Sequence, residues 1–246
     1  MDFYGDYHTH TRYSHGKGTV AQNAEAAAAL GFKQIAITDH GFRHILYNVK
    51  RRWVSDMQRD VAAASKLYNI DVLLGLETNI TGPGKIDVKP KDYEFLDIIL
   101  CGYHRLIMSA RPRDFWHFSR VMLFNPKKMA DRNTDLYRSI IEKHPVDVIS
   151  HPGLNMLVDV EKLAQTCKDA GAMIELNGKG IAFSDDEFRA MAATGVQFIV
   201  NSDAHSPEKV GDFTKPLELL KRVPVPESQI ANLNKKPVFR SQKQKG

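Results

Sequence analysis

The sequence of 246 residues has few cysteines, no long hydrophobic run and no leader-like beginning. Its two cysteines, Cys101 and Cys167, are too few for a disulfide framework and are typical of a reducing cytoplasm. No apolar run approaches the roughly 18 residues that a membrane-spanning helix needs. The opening MDFYGDYHTH has no basic stretch followed by an apolar one, so we expect no cleaved signal. These absences favour a cytoplasmic protein without a membrane partner.

The chain also has no excess charge outside its last residues. The formal net charge is +5, from 34 Lys and Arg against 29 Asp and Glu. Residues 233–246 contain five basic residues and no acid, so residues 1–232 have 29 charges of each sign. A nucleic-acid-binding face usually needs clustered Lys and Arg, so this balance argues against nucleic acid. We expect the basic tail to be a frayed, solvated end whose deletion leaves activity intact; binding to an anionic partner is the alternative.

The alternation of short β-branched runs with helical patterns indicates an α/β fold. A chain of this length with 43% hydrophobic residues is long enough for one large core, so we predict one domain at 1–232, followed by the tail at 233–246. The predicted strands are residues 3–8, 34–38, 71–77, 97–104, 147–150, 173–177 and 197–202. The predicted helices are residues 19–30, 54–68, 131–143, 160–170 and 185–193.

Strands that are separated by helices run parallel, because a crossover helix returns the chain to the same edge of the sheet. Closure of the sheet gives a distorted seven-stranded (β/α)7 TIM-like barrel, and an open doubly wound sheet is the competing geometry. Residues 105–133 are too long for a plain connection and rich in aromatics and Arg. We interpret this segment as a loop insertion over the site, or as an excursion that caps the barrel.

Residue types that bind metals follow six of the seven predicted strands. In a parallel barrel all the C-terminal strand ends lie at one face, and active sites occur there. His8 and His10 stand two apart at the end of the first strand, so both side chains point to one side. Buried strands are otherwise apolar, which makes a chance arrangement improbable. The candidates are His8, His10, His15, His40, Glu77, His104, His151, Asp203 and His205.

Several neighbouring residues have open roles at this stage. Asn177 either contacts substrate or ligands, or closes a turn, and Glu175 stays unassigned because the strand register is unknown. Asp39 either orients a ligand histidine or caps the following turn. Five basic residues follow strand ends and are candidates for binding phosphate, although a single one is more often a solvated surface residue. They are Arg12, Lys17, Arg43, Arg105 and Lys179.

The pattern resembles the PHP (polymerase and histidinol phosphatase) family, most of all its small stand-alone YcdX-like bacterial phosphoesterases. The resemblance covers residues 6–205 and rests on four runs and three single residues. They are His8-Thr9-His10 with His15, Ile37-Thr38-Asp39-His40-Gly41, Glu77, His104, Ile149-Ser150-His151-Pro152 and Asn201-Ser202-Asp203-Ala204-His205. The segment after His104 is longer than is usual in such proteins, which leaves the substrate open.

The resemblance implies a trinuclear site. It assigns one ion to His8, His10, Glu77 and Asp203, which would also hold the metal-activated water. It assigns a second ion to His15, His40 and His205, and a third to Glu77, His104 and His151. Imidazoles and carboxylates without thiolates suit Zn²⁺, Mn²⁺ or Fe²⁺, so the cofactor is expected to be two to three such divalent ions.

The chemistry that the resemblance implies is hydrolysis of a phosphate ester. Paired ions lower the pKa of a bound water toward about 7 and neutralise phosphoryl oxygens. We expect a phosphomonoesterase that acts on a small phosphorylated molecule, with histidinol phosphate or a nucleotide among the candidates. The alternatives are a nuclease-like phosphodiesterase, an amidohydrolase-type enzyme, whose ligand order fits poorly, and a non-catalytic metal-binding regulator.

Overall fold

The computed structural model describes residues 2–104, 106–108 and 126–242, and the side chains of the last segment from residue 129 onward. Arg105 and residues 109–125 lie outside the described residues, and so does most of the proposed insertion. The description of the fold below concerns the described part of the chain.

Seven parallel strands form a nearly closed barrel, as predicted. Their order around the barrel is β1, β2, β3, β5, β6, β7 and β8, and the short strand β4 pairs antiparallel with the end of β3. The ring is closed between β1 and the segment after β8, where the His10 amide donates to the Ala204 carbonyl over 2.8 Å. The strands are β1 (Gly5–Thr9), β2 (Gln34–Ile37), β3 (Asp71–Gly82), β4 (Lys85–Ile86), β5 (Ile98–Gly102), β6 (Val148–Ile149), β7 (Met173–Asn177) and β8 (Gln197–Asn201).

The connecting helices cover the outside of the barrel. Five helices were predicted, and the structure has all five, with a sixth after β8 that the sequence analysis missed. Thr19 and Ser184 begin their helices with capping boxes, and Gly171, at a φ of 73°, ends another in the left-handed region. The helices are α1 (Val20–Ala29), α2 (Val54–Tyr68), α3 (Pro126–Lys143), α4 (Val160–Ala170), α5 (Asp185–Ala193) and α6 (Thr214–Arg222). Among the described residues, none of these helices has the length and apolar character to span a membrane.

The interpretation of residues 105–133 as one loop insertion is wrong at its C-terminal end, because α3 already begins at Pro126. The sequence PKKMA at residues 126–130 forms the beginning of this helix, which the expected start at residue 131 had omitted. At the other end, Ile107 pairs with His44, and the Ile45 amide donates to the Leu106 carbonyl over 3.0 Å. The segment after β5 is therefore tied to the segment after β2.

Strand residues alternate between two apolar layers. Ile35, Ile99 and Ile174 face the helices, whereas Ala36, Leu100 and Met173 face the interior of the barrel. Cys101 and Cys167 are buried and unpaired in the outer layer. The cytoplasmic location that their number suggested stays a prediction. About fifty apolar side chains thus form the layer between the strands and the helices. Polar residues lie at the C-terminal ends of the strands.

The C-terminal tail packs into the barrel, so the expectation of a frayed, solvated end is wrong for residues 233–242. Phe239 is fully buried in the interior layer, with its ring centroid 5.3 Å from that of Tyr7. The Ser241 hydroxyl donates to Asp147 over 2.7 Å, and Arg240 donates to the carbonyl of Val146 over 2.8 Å. Asp147 directly precedes β6, so the tail closes the N-terminal end of the barrel, opposite the predicted site.

We expect Phe239→Ala to lower the free energy of unfolding by about 3–5 kcal/mol, because it removes a fully buried ring. Urea denaturation of the purified protein measures this change. Val238→Ala is the matched control, since the neighbouring side chain is 66% exposed, and it should change the free energy by less than about 0.5 kcal/mol. Equal stability of the two variants would contradict the role of Phe239 in the core.

Candidate metal centre

The nine candidate ligands lie together at the C-terminal face of the barrel. His8 and His10 project to the same side of β1, and their Nε2 atoms are 3.1 Å apart. The Oδ1 atom of Asp203, which follows β8, lies 3.3 Å from His10 Nε2 and 3.7 Å from His8 Nε2. Because the strands run parallel, the C-terminal ends of β1 and β8 lie side by side, and the side chains of His8, His10 and Asp203 come together there.

Glu77 occupies the middle of this group. It lies on β3, which continues five residues past it, and its carboxylate is almost completely buried. Its Oε1 atom is 2.7 Å from His151 Nε2 and 3.2 Å from His104 Nε2, and its Oε2 atom is 2.9 Å from His40 Nδ1. A carboxylate with imidazoles on both oxygens is suited to bridge two cations.

The remaining histidines form the outer side of the group. The ring centroids of His15 and His205 are 4.1 Å apart, and that of His10 is 4.2 Å from that of His205. His15 and His40 are stacked, with centroids 4.8 Å apart. Four imidazole nitrogens, one from each of these residues, lie within 4.8 Å of one another, which is close enough for one ion to contact them all.

Three overlapping groups of side chains have ligand atoms close enough to hold an ion. They partly match the sets that the family resemblance implies: His10 joins the group of His15, His40 and His205, and His40 joins Glu77 and His104. His151 reaches the third group through Glu77. The three groups are His8, His10 and Asp203; His10, His15, His40 and His205; and His40, Glu77 and His104.

Several buried polar atoms of this group lack hydrogen-bond partners among the described residues. They include Nδ1 of His10, His15 and His40, and Oδ1 of Asp203. His40 Nδ1 is 2.9 Å from Glu77 Oε2, but its orientation does not meet hydrogen-bond geometry. Buried polar atoms without partners are costly, and nitrogen and oxygen lone pairs that face each other are satisfied by a cation. The donor set therefore fits divalent metal ions.

Burial and neighbouring imidazoles keep His10, His15 and His40 neutral. Burial, followed by the proximity of His205 and His40, lowers the pKa of His15 to about 3. Burial likewise lowers the pKa of His40 to about 4, although Glu77 opposes this shift. The pKa of His10 is also well below the usual value, mainly because of burial. A neutral imidazole is the form that binds metals, so these groups need lose no proton at neutral pH.

The two carboxylates stay ionised inside the barrel. Burial by itself raises the pKa of Glu77, but His104, His8 and His151 outweigh it and hold that pKa well below its usual range. The same balance, with His8 as the main neighbour, lowers the pKa of Asp203. Both groups therefore supply negative charge at neutral pH, which compensates part of the charge of a bound cation.

Glu175 supports His8 from behind, a role that the sequence analysis left unassigned. Its Oε1 atom is 2.7 Å from His8 Nδ1, and its Oε2 atom accepts a hydrogen bond from the His151 amide over 2.8 Å. A proton on Nδ1 leaves the Nε2 lone pair of His8 free for a cation. Asn177 donates to both Glu175 and Asp203, over 2.8 and 3.1 Å, so it contacts these acids and does not merely close a turn.

A second chain of contacts supports His104. Its Nδ1 atom is 2.8 Å from Asn79 Oδ1, and the Asn79 amide donates to the buried carboxylate of Asp87 over 2.6 Å. Asp87 follows the hairpin of β3 and β4, which periodicity could not place next to the site. These partners fix the ring of His104 through two further side chains.

Asp39 organises the turn that contains His15. It accepts hydrogen bonds from the Thr11 amide over 2.7 Å, the Thr11 hydroxyl over 2.6 Å and the Ser14 hydroxyl over 2.5 Å. No histidine is among its hydrogen-bond partners in the described part of the chain. Asp39 therefore stabilises a turn that precedes it in sequence, a role different from both that were considered, orientation of a ligand histidine and capping of the following turn.

Backbone strain and close packing are concentrated at the centre. His151 and Asp203 have φ values of 32° and 55°, a region that costs non-glycine residues about 1–3 kcal/mol each. A Cβ atom on Gly102 would lie 2.4 Å from Ser150 Oγ and 2.9 Å from His151 Cε1. The Ser150 hydroxyl in turn donates to Glu77 over 2.8 Å. The backbone conformation therefore aims these side chains at the group.

The five predicted substrate residues do not all lie beside the centre. Lys17 and Lys179 line a cavity next to Asp203 and His205. Arg43 lines a different cavity, at the hairpin of β3 and β4, and Arg12 is exposed in the turn after β1. Arg105 lies outside the described residues. The same cavity as Lys17 contains two lysines that the sequence analysis missed, Lys209 and Lys215, because they follow the last strand and carry no motif.

Comparison with known proteins gives consistent matches. A probable phosphatase of Caldanaerobacter subterraneus is 29% identical over 243 residues, which cover 92% of this chain and 86% of the relative. A probable phosphatase of Acetivibrio thermocellus is 29% identical over 247 residues, which cover 94% and 92% of the two chains.

The fold is also that of a solved phosphatase. The structure of histidinol phosphate phosphatase from Lactococcus lactis, in complex with zinc, L-histidinol and phosphate, aligns with a TM-score of 0.60 at 11% identity. The alignment covers 92% of this chain and 95% of the other. Residues 6–186 match the PHP domain, which confirms the predicted family. The chain belongs to the PHP domain family.

Proposed function

We propose that this protein hydrolyses the phosphate monoester of a small molecule, with a metal-activated water at a trinuclear site. The convergence of seven imidazoles and two carboxylates at the C-terminal face of the barrel is the observation that carries the proposal. Membership of the PHP family and relatives named probable phosphatases support a metal-dependent phosphoesterase, a hydrolase. The substrate class and the number of ions go beyond this support and belong to the proposal.

Each group of ligands has a part in the proposed reaction. His8, His10, Glu77 and Asp203 would hold the cation that activates the water, and the other five candidates would complete the three sets: His15, His40, His104, His151 and His205. Bound Zn²⁺, Mn²⁺ or Fe²⁺ ions supply a water of lowered pKa and neutralise the phosphoryl oxygens. Glu175 keeps His8 in the tautomer that presents Nε2 to the centre.

The charge of the centre favours a dianionic ester. His10, His15 and His40 are neutral and no histidine is negatively charged, so two or three divalent ions exceed the charge of Glu77 and Asp203 and leave the site positive. Lys179 adds to this field, since its Nζ atom lies 3.2 Å from Asp203 Oδ1. A phosphate monoester benefits more from such a field than an amide or a neutral ester. Histidinol phosphate is one candidate, because a fold relative binds histidinol and phosphate.

A nuclease-like phosphodiesterase is the second candidate function. It needs a basic surface that follows a nucleic acid backbone, whereas residues 1–232 have equal numbers of basic and acidic residues. The lysines beside Asp203 are the observation in its favour. The monoesterase therefore remains the preferred proposal.

We expect His8→Ala and Asp203→Ala to abolish turnover and to reduce bound metal, while the barrel stays folded because its core is apolar. Elemental analysis of the wild-type protein, purified without chelator, should give about two to three equivalents of metal. His144→Ala is a control of the same residue type, since the hydrogen-bond partners of His144 are Tyr93 and Gly84 and not a candidate ligand. Wild-type turnover in either ligand variant, or no bound metal in the wild-type protein, would refute the proposed centre.

We expect Glu175→Gln to weaken metal binding about 10- to 100-fold, because the amide no longer fixes the tautomer of His8. Titration of the metal-depleted protein with Mn²⁺ measures the dissociation constant independently of turnover. Glu161→Gln, at an exposed position of α4, is the matched control. An unchanged dissociation constant in Glu175→Gln, with the protein folded, would rule out this supporting role.

Substrate tests separate the two candidate functions. The wild-type protein, loaded with Mn²⁺ or Zn²⁺, is expected to hydrolyse p-nitrophenyl phosphate at least about tenfold faster than bis-p-nitrophenyl phosphate, because a dianionic ester gains more from a positive site. Release of p-nitrophenol is followed for both esters, and a single-stranded oligonucleotide is tested in parallel. Faster cleavage of the diester and degradation of the oligonucleotide would favour the phosphodiesterase instead.

A further inference from the structure

We infer that a cavity beside the metal centre binds a second anionic group of the substrate, either a phosphate or a carboxylate. The inference rests on the proposed function, and it narrows the substrate to molecules that have two anionic ends. The cavity, called here the lysine pocket, has a volume of about 400 Å³. It is lined by Lys17, Lys179, Lys209, Lys215, Asp203 and His205, among others.

The lysine pocket shares a wall with the centre. Asp203 and His205, two of the nine candidate ligands, line both. Lys179 stands at the boundary, because its Nζ atom is 3.2 Å from Asp203 Oδ1 and 2.6 Å from His205 Nδ1. A molecule whose phosphate lies at the centre therefore has its remaining atoms next to the pocket.

The lining of the pocket is positive although the barrel as a whole is neutral. Four lysines line the pocket, against the two aspartates Asp203 and Asp212. Asp212 is already engaged, since it accepts hydrogen bonds from Lys209 Nζ over 3.0 Å and from the Thr214 hydroxyl over 2.8 Å. Asp203 belongs to the centre. Lys209 and Lys179 pair with these two acids, so the lining keeps an excess of two positive side chains, and an anion is the complementary ligand.

The frame of the pocket is close-packed, whereas its lysines are long and adaptable. A Cβ atom on Gly178 would lie 2.4 Å from the Asp212 carbonyl oxygen and 2.8 Å from that of Ser202, so three loops meet there without spare space. The Lys179 amide donates to Asn177 Oδ1 over 2.8 Å, which ties the same loop to the centre. Fixed walls keep the pocket at a constant place beside the centre.

The lysines determine the chemical class of the ligand. Lys209 is 66% exposed, and Lys215 is exposed at the start of α6, where its Nζ atom donates to the Lys179 carbonyl. Lysine acts as a point charge without the fixed geometry of arginine. The pocket therefore selects negative charge more than shape, and both phosphate and carboxylate satisfy it.

Binding of hydrolysis-resistant probes tests the inference without turnover. Isothermal titration of the Mn²⁺-loaded protein compares propylphosphonate with propane-1,3-diyl bisphosphonate and with 3-carboxypropylphosphonate, and repeats the comparison with four- and five-carbon chains. We expect roughly tenfold tighter binding of at least one two-anion probe than of its one-anion partner, since one charge-assisted contact is worth about this much.

Paired variants identify the pocket as the source of the preference. In Lys209→Gln/Lys215→Gln the preference for two anions should fall to less than about threefold. Lys221→Gln, an exposed lysine of the same helix α6 that does not line the pocket, should keep it. Equal binding of one- and two-anion probes by the wild-type protein, or a preference that the double variant retains, would overturn the inference.

Two further outcomes are distinguishable. If the two-anion preference is present and lost in the double variant, but no phosphate ester is hydrolysed, the proposed function fails and the second anion site stands. If a 5′-phosphorylated oligonucleotide binds at least as tightly as the best bisphosphonate, and the double variant weakens it equally, the pocket serves a nucleic acid backbone and the small-molecule inference is overturned.

Discussion

The parallel direction of the seven strands is the constraint on which the site depends, because it brings every C-terminal strand end to one face of the barrel. Side chains that are far apart in the sequence, such as His10 and Asp203, thereby come within 3.3 Å. The same closure withdraws them from water. Buried charges and imidazoles without partners are costly, so each member of the group depends on the others and on the cations they fit.

The group of candidate ligands could be predicted from the sequence because most of its members lie at or just after the ends of strands that are otherwise apolar. Glu175 could not be assigned, since only the pairing of β7 with β6 and β8 decides which way its side chain points. Asp87 reaches His104 through Asn79 and a short hairpin that left no periodic signal. Lys209 and Lys215 follow the last strand, β8, so no strand end predicted where their side chains would lie.

The C-terminal tail was expected to be frayed because of its net charge, yet residues 233–242 are packed against the barrel. Its lysines at 235 and 236 are exposed, as the composition suggested, but Leu233 before them and Pro237 and Phe239 after them are buried. The net charge of the segment does not distinguish its buried apolar residues from its exposed lysines. Packing depends instead on which individual side chains point toward the core. Arg240 is itself used structurally, because it donates to the Ile141 carbonyl near the C-terminal end of α3, where a positive charge is favourable.

The two ends of the barrel therefore differ in what they contribute: the C-terminal end holds the candidate metal centre, and the N-terminal end holds apolar packing. At the C-terminal end, His151 and Asp203 adopt unfavourable φ angles and seven imidazoles are held close together, so the folded chain alone gains little from this region. At the N-terminal end, Phe239 and Tyr7 fill the interior with apolar contacts. Cations bound only by the folded state would offset the cost of the first end by mass action. None of the nine candidate ligands is among the described residues of the apolar layer around Phe239, so this packing can stabilise the barrel while the other end stays strained.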